Sequence, residues 1–176
     1  MSVPWELFSE NTAEAQQLFE RLPEVAAADP LVMDEIMRGL THEEAHIRTL
    51  AAELVDRVTQ ERPLFLSPYK RLLVYELSKI TQPTVRAKIA LFYGRVFWDE
   101  WDLQQVVKLL AQWARQEDDV LIIVHSLLSL HLLAQQKEWI VPELQKEVLA
   151  ASTHSLEEVR GFAAQLQEAW NFKNEV

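Results

Sequence analysis

The sequence predicts an all-α protein in which helices are paired and the pairs repeat along the chain. Apolar residues recur with helical spacing, and no segment of useful length alternates apolar and polar residues as a strand does. Only 3 glycines occur among 176 residues, too few for a fold rich in β-hairpins. Capping residues and prolines typical of first helical turns recur between the apolar segments.

The composition is that of an ordinary globular domain, with 49% hydrophobic and 25% charged residues. The absence of cysteine excludes disulfides, thiol catalysis and cysteine-based zinc sites. The net charge of −10 argues against non-specific binding to nucleic acid or to an anionic membrane. There is no basic N-terminal signal, and the most apolar stretch, 120–134, is too short to span a bilayer. We therefore expect one cytoplasmic domain over residues 1–176, without a cofactor.

The predicted elements follow from start signals in the sequence. A lead-in helix over 12–22 begins after Asn11, which forms a capping-box pattern with Glu14. The other predicted helices form pairs at 30–40 and 42–60, 67–81 and 83–98, 101–116 and 118–136, and 140–151 and 155–171. Their predicted starts are Asp29-Pro30, Thr41 with Glu44, Ser67-Pro68, Pro83, Pro142, and Ser155 with Glu158.

The second helices of these pairs share a pattern that starts at one apolar position. These anchor residues are Ile47, Val85, Val120 and Val159, at spacings of 38, 35 and 39 residues. An arginine follows the anchor in three repeats, and a large apolar residue stands seven places after it in all four. Five places after the anchor stand Ala52, Ala90, His125 and Ala164. A small residue there lets helix axes approach closely, so the pattern favours stacked helical hairpins.

This pattern resembles HEAT repeats, whose second helix opens with a Val-Arg pair ahead of alanines and a leucine. The third repeat departs from it, with Leu121 in place of the arginine and His125 in place of the alanine. The resemblance implies a right-handed α–α superhelix, a HEAT/ARM-like solenoid of about four hairpins with an N-terminal capping helix. Its repeats cover about 30–60, 67–98, 101–136 and 140–171. Surfaces of such solenoids usually serve in recognition.

Charge is unevenly distributed along the chain. Residues 62–95 carry 7 basic side chains and one acidic side chain, whereas 1–61 and 96–176 have net charges of −9 and −7. Aromatic residues crowd the end of the basic segment. We therefore predict a non-catalytic scaffold module that binds an acidic peptide or another protein here. The predicted contact residues are Arg86, Lys88, Arg95, Tyr93, Trp98, Trp101, Lys70, Arg71 and Lys79. The alternative is that these cations only balance neighbouring acids.

Two motifs suggest enzymes. His42-Glu43-Glu44-Ala45-His46 fits the H-E-x-x-H pattern of zinc proteases. The motif stands at a predicted helix start and lacks an obvious third ligand, so we favour a solvated first turn and predict no metal. The second likeness is to HEAT-like DNA alkylation-repair glycosylases, through 48–54 and Trp101-Asp102-Leu103.

The catalytic acid of that glycosylase family is replaced here by Gln105, and Leu121 and Ile122 stand where its paired arginines are expected. We therefore predict no enzyme activity, while contact with nucleic acid stays open as an alternative. HEAT-like chains also resemble accessory subunits of bilin lyases, although no pigment site is identifiable here. The oligomeric state is not predicted.

Overall fold

A computed structural model describes residues 2–10 and 12–172 of the chain. Most of this part is helical and none of it forms a strand, which confirms the all-α prediction. The capping box predicted at Asn11 lies outside the described residues. The chain divides into two compact units, Met1–Pro68 and Tyr69–Val176, which we call the N-terminal and C-terminal units. The prediction of a single domain stays a prediction.

In the N-terminal unit, residues 2–10 and 12–68 contain three α-helices that pack on one another. They are α1 (Ala13–Ala28), α2 (Pro30–Gly39) and α3 (Ala45–Glu61), with a 3-10 turn at Trp5–Ser9 before them. Thr12 caps α1 by accepting a bond from the backbone of Ala15. Asp29 caps α2, and Pro30 is its first residue, as predicted. The lead-in helix extends six residues beyond its predicted end, through Pro23.

The part of the C-terminal unit that the structure describes contains six α-helices in two rows. They are α4 (Lys70–Tyr75), α5 (Pro83–Tyr93), α6 (Glu100–Gln116), α7 (Val120–Gln136), α8 (Val141–Ala151) and α9 (Glu157–Trp170). In one row α6 packs against α4 and α8, and in the other α7 packs against α5 and α9. The rows are joined by contacts of α6 with α7 and of α8 with α9. The prolines predicted at the starts of α5 and α8 lie in their first turns.

Two predicted helices are shorter than expected. The segment predicted as a helix over 67–81 contains only α4, between 3-10 turns at Pro63–Tyr69 and Leu77–Lys79. Prolines inside the first of these turns supply no backbone N–H for a regular helix. The helix predicted over 83–98 ends at Tyr93, where the N–H of the next residue, Gly94, bonds the hydroxyl of Ser129.

Burial corrects the repeat alignment in the third pair. Val120 is half-buried, whereas Ile122 is buried like Ile47, Val85 and Val159. In α7, the residues four, five, seven and eight places after Ile122 are buried. The same places after Ile47 in α3 and after Val85 in α5 are buried too. The anchor spacings then become 38, 37 and 37 residues. The sequence analysis placed the anchor at Val120, the first apolar residue of α7. Because α7 begins two residues before its first buried position, the anchor was placed two residues too early.

Close packing of α5 on α7 depends on small polar contacts. The Ser129 hydroxyl donates to the carbonyl of Ala90 at 2.6 Å and accepts the N–H of Gly94 at 3.1 Å. A Cβ at Gly94 would lie 2.6 Å from the Ser129 Oγ. One turn away, His125 bonds the carbonyl of Ala87 through Nδ1 at 2.8 Å. His125 and Ser129 therefore join the two helices.

Within residues 2–10 and 12–172, no helix combines the length and apolar character needed to cross a membrane. The apolar stretch of α7 instead supplies buried side chains to the C-terminal unit.

Candidate functional site

The H-E-x-x-H residues belong to a turn that occurs twice in the chain. The Nδ1 of His42 accepts the N–H of Glu44 at 3.1 Å, and the Arg48 guanidinium donates to the carbonyls of His42 and Glu43 at 2.7 and 2.9 Å. The second turn has the same bonds. Its His154 accepts the N–H of Leu156 at 3.1 Å, and Arg160 donates to the carbonyls of His154 and Ser155 at 2.7 and 2.8 Å.

These turns replace the predicted capping boxes at Thr41 and Ser155. Helix α3 begins at Ala45 and α9 at Glu157, and neither has a side-chain cap at its N-cap residue. The sequence signal for this turn was a shared pattern, Thr-His, then four intervening residues, then Ile or Val followed by Arg. The sequence analysis missed this shared pattern because it interpreted the two segments separately. It compared 42–46 with a zinc-protease motif and assigned Ser155 and Glu158 to a capping box.

The two imidazoles of the zinc-protease motif do not share a helix face, because α3 begins between them. The Nε2 of His46 lies 2.8 Å from the Ser9 hydroxyl, and its Nδ1 lies 3.4 Å from Glu44. Among the described residues, no group of three or more His, Asp or Glu side chains is arranged to hold a metal ion. The geometry therefore gives the motif a local structural role.

Arg86 forms internal contacts, although we predicted it as a partner-binding residue. Its Nε donates to the carbonyl of Ile80 at 2.8 Å, and its Nη1 pairs with Glu117. Its guanidinium carbon lies 5.1 Å from the ring centroid of Trp113, and its side chain is only 14% exposed. The bond from Arg86 to a carbonyl six residues earlier repeats the bonds of Arg48 and Arg160. These contacts hold Arg86 inside the C-terminal unit.

Tyr93 and Trp98 are also internal. Tyr93 stacks on Trp113 with ring centroids 5.7 Å apart, and its hydroxyl donates to the carbonyl of Leu73 at 2.8 Å. Burial raises the pKa of Tyr93 far above its ordinary value, so the hydroxyl stays protonated as a donor. The indole N–H of Trp98 donates to the carbonyl of Tyr93 at 2.9 Å, at the end of α5. Since both side chains are buried, we remove them from the predicted surface.

The other predicted residues differ in exposure. Arg71, Lys79 and Trp101 are exposed, while Lys70 is half-buried. Lys79 lies 3.7 Å from Glu76 in an ion pair. Lys88 and Arg95 are half-buried and make interactions of their own. The accessible residues therefore concentrate on α4 and the start of α6, rather than on α5.

Tyr75, which the sequence analysis missed, connects these accessible residues. Its hydroxyl donates to Asp102 at 2.9 Å, and the guanidinium carbon of Arg71 lies 5.9 Å from its ring centroid. The same bond to Asp102 raises the pKa of Tyr75. Tyr75 is 42% exposed and Trp101, next to Asp102, is 70% exposed. We call Lys70, Arg71, Tyr75 and Trp101 the basic–aromatic surface.

The carboxylates around this surface are engaged in local bonds. Asp99 caps α6 by accepting the N–H of Asp102 at 3.0 Å, which lowers its pKa, and the nearby charge of Lys70 lowers it further. Asp102 is itself buried and bonded to Tyr75. Neither Lys70 nor Arg71 forms a salt bridge with a carboxylate in the described part of the chain. The surface therefore offers cations and aromatic rings to a ligand.

The glycosylase-like segment is explained by the same contacts. Asp102, within the Trp101-Asp102-Leu103 sequence, contributes its carboxylate to Tyr75 and its backbone N–H to the Asp99 cap. Gln105 is half-buried in α6, and Ile122 is buried at the anchor position of α7. The similarity therefore falls on residues that build the start of α6.

Comparisons of the chain with protein-family models, curated proteins and solved structures found no match. The interpretation of function therefore depends on the residues of this chain and their geometry.

Proposed function

We propose that the chain is a HEAT-like α-solenoid module that binds an acidic segment of a partner protein through the basic–aromatic surface, without catalysis. The observation that carries this proposal is the exposure of Tyr75 beside Arg71, and of Trp101 next to Asp102, to which the Tyr75 hydroxyl donates. Large exposed aromatic side chains beside arginine have the composition of binding hot spots.

The solenoid part of the proposal is supported by repetition. Buried anchors recur at intervals of 38, 37 and 37 residues, and an arginine binds the preceding turn at three of the four anchors. The two rows of helices in the C-terminal unit are what stacked hairpins produce.

The acidic character of the partner follows from charge. Arg71 and Lys70 gain more from a ligand carboxylate than from surface carboxylates that are already bonded. The net charge of −10 opposes the approach of a long polyanion, whereas a short acidic segment needs only the local cations. The charge contribution to binding is partly screened, so the affinity should fall as salt rises.

A binding assay on the full chain tests this proposal. The probe is a fluorescein-labelled heptapeptide of three glutamates, two serines, a leucine and an aspartate, followed by fluorescence anisotropy. We expect Trp101→Ala to weaken binding about tenfold, as loss of a hot-spot side chain does. Arg71→Glu should weaken it about fivefold or more at low salt.

Matched controls lie in the N-terminal unit. Leu31 has the same 70% exposure as Trp101, and Arg38 is an exposed cation on α2. We expect Leu31→Ala and Arg38→Glu to change the affinity less than twofold. Equal effects of the test and control variants, or affinity unchanged between low and moderate salt, would reject the basic–aromatic surface as the binding site.

A further inference from the structure

A second apolar feature lies beside the basic–aromatic surface in the same row of helices. It is a groove of about 380 Å³ between α6 and the segment that opens α8, which we call the Trp139 groove. It is lined by Gln104, Val107, Lys108, Trp139, Pro142 and Glu143. Its volume is near the lower limit for ligand pockets.

The wall of the Trp139 groove is held in place by the fold. Trp139 is 43% exposed in the 3-10 turn Glu138–Ile140, and the next residue, Ile140, is fully buried. Val107, on the opposite side, is buried in α6. An apolar side chain that enters the groove therefore contacts the Trp139 ring, whose backbone is already fixed by the buried Ile140. Binding then loses little conformational entropy in the protein.

The rim of the groove carries one cation without a salt bridge. Glu143 lies 3.2 Å from Lys146 and is engaged by it. Lys108 has no carboxylate partner among residues 2–10 and 12–172. The uncompensated charge at the rim is therefore positive, which suits a carboxylate of the ligand.

The spacing along α6 connects the groove to the basic–aromatic surface. Trp101, Gln104 and Lys108 are exposed and lie on one edge of α6 at helical intervals. Seven residues of α-helix from Trp101 to Lys108 advance about 10 Å. An extended peptide covers that distance in about three residues.

The geometry points to the Trp139 groove as a second subsite for the same partner segment. It receives an apolar side chain about three residues from the part of the peptide that contacts Trp101, and Lys108 pairs with an adjoining carboxylate. This inference rests on the proposed function and narrows the partner to an extended acidic peptide with one apolar anchor.

A peptide fits these charges better than a nucleic acid does. Glu100, Glu138 and Glu143 stand on the same elements as Trp101 and Trp139. A phosphate backbone carries a charge at every nucleotide and would meet these carboxylates, whereas a peptide needs one carboxylate at Lys108 and can place uncharged residues beside them.

The indole N–H signals of the ¹⁵N-labelled full chain test the inference, with Trp→Phe variants to assign them. The probes are the heptapeptide of the binding assay and a matched peptide in which serine replaces its leucine. We expect the leucine peptide to shift the signals of both Trp101 and Trp139, and the serine peptide to shift Trp101 alone. The signals of Trp98 and Trp113, whose side chains are buried, serve as internal references that stay unchanged.

Variants of the groove make the same test by affinity. Trp139→Ala and Lys108→Ser should each weaken the leucine peptide about fivefold and leave the serine peptide within twofold. The serine peptide controls for loss of folding, because its binding to the basic–aromatic surface requires an intact C-terminal unit.

The outcomes separate the two proposals. A shift of Trp101 without a shift of Trp139 overturns the groove inference and leaves the proposed function standing. No shift of either indole overturns both. A deoxythymidine decamer that shifts Trp139 more than the leucine peptide does would overturn the acidic-peptide occupant in favour of a single-stranded nucleic acid.

Discussion

The two units share one type of turn but differ in net charge and in the exposure of their aromatic residues. Both contain the histidine–arginine turn, at Arg48 in one and Arg160 in the other. Residues 1–68 carry a net charge of −8 and residues 69–176 a net charge of −2. In the N-terminal unit, the Phe8 ring contacts the rings of Trp5 and Phe19 edge to face.

The C-terminal unit instead exposes aromatic rings. Tyr75, Phe97, Trp101 and Trp139 are all at least 42% exposed, whereas the aromatic residues described in the N-terminal unit are all half-buried. Under the proposed function, the shared turns and the buried residues stabilise each unit, while exposed residues outside these contacts decide which unit binds. The predictions below test this separation of structural from binding residues.

The largest expected effect on stability is at Gly94. An added Cβ would lie 2.6 Å from Ser129 Oγ and 2.9 Å from its Cα, so α5 and α7 must move apart. We expect Gly94→Ala to lower the free energy of unfolding by about 2–3 kcal/mol, as overpacking does. Denaturant unfolding measures it.

Gly161 provides the matched control for Gly94, because a Cβ there meets nothing within 4 Å. Gly161→Ala in the exposed face of α9 should raise the free energy of unfolding by about 0.5–1 kcal/mol. Equal effects of the two substitutions would contradict the close packing of α5 on α7.

The next largest effect is a difference in stability between alanine variants of Arg86 and Arg71. Arg86→Ala removes the bonds to Ile80 and Glu117 and leaves the Ile80 carbonyl without this donor, so unfolding should become easier by about 2 kcal/mol. Arg71→Ala should cost less than about 0.5 kcal/mol, because its side chain is exposed. The two variants are compared by thermal and denaturant unfolding.

Peptide affinity provides the converse comparison. Arg71→Ala should weaken the heptapeptide, whereas Arg86→Ala should leave its affinity nearly unchanged under conditions where the variant is folded. If Arg86→Ala is as stable as the parent chain and loses peptide binding, Arg86 belongs to the binding surface and the separation fails.

A pH-dependent effect is expected at the Arg115–Glu147 pair. Glu147 is buried, and the Nε and Nη2 of Arg115 donate to its carboxylate at 2.9 and 3.0 Å. Burial raises the pKa of Glu147, and Arg115 opposes that rise. Arg115→Met should lower the free energy of unfolding at pH 7 by about 1–2 kcal/mol. This is less than the loss expected for a fully buried ion pair, because solvent screens the half-exposed Arg115.

The sign of the pH dependence follows from the raised pKa. As the pH falls through the raised pKa of Glu147, the folded chain takes up a proton before the unfolded chain does. The folded state therefore gains stability relative to neutral pH. The loss caused by Arg115→Met should therefore shrink between pH 7 and about 4.5. A loss that grows on acidification would contradict a buried carboxylate that relies on Arg115.

The smallest effect concerns His131, whose Nδ1 accepts the indole N–H of Trp170 at 2.8 Å. Burial lowers the pKa of His131, so the stability held by its neutral form is lost as the pH falls through that pKa. His131→Gln keeps an acceptor that does not titrate. Between pH 7 and 5 the parent chain should lose about 0.5–1 kcal/mol more than this variant, by denaturant unfolding.

Local signals in the sequence predicted much of the fold. The caps at Asp29 and the prolines of α2, α5 and α8 are confirmed because they act within one turn of the chain. The end of α5 was not predictable in the same way. It depends on Ser129, 35 residues from Gly94, and on the indole of Trp98 folding back onto Tyr93.

For the candidate site, the sequence predicted the region of the chain but not which of its residues are accessible. Charge and aromatic counts located it near residues 62–101, but composition does not distinguish Arg71, which is exposed, from Arg86, which is held over Trp113. Tyr75 was missed because its partners, Arg71 and Asp102, come from two helices that meet only in the folded chain.

Hydrogen–deuterium exchange of the full chain, with and without the leucine heptapeptide, compares the two units in one measurement. The account predicts slower exchange in α4 and in the first half of α6, around Trp101, with α3 of the N-terminal unit unchanged. Protection confined to α3, or to α5 with none in α4 and α6, would contradict the assignment of binding to the basic–aromatic surface.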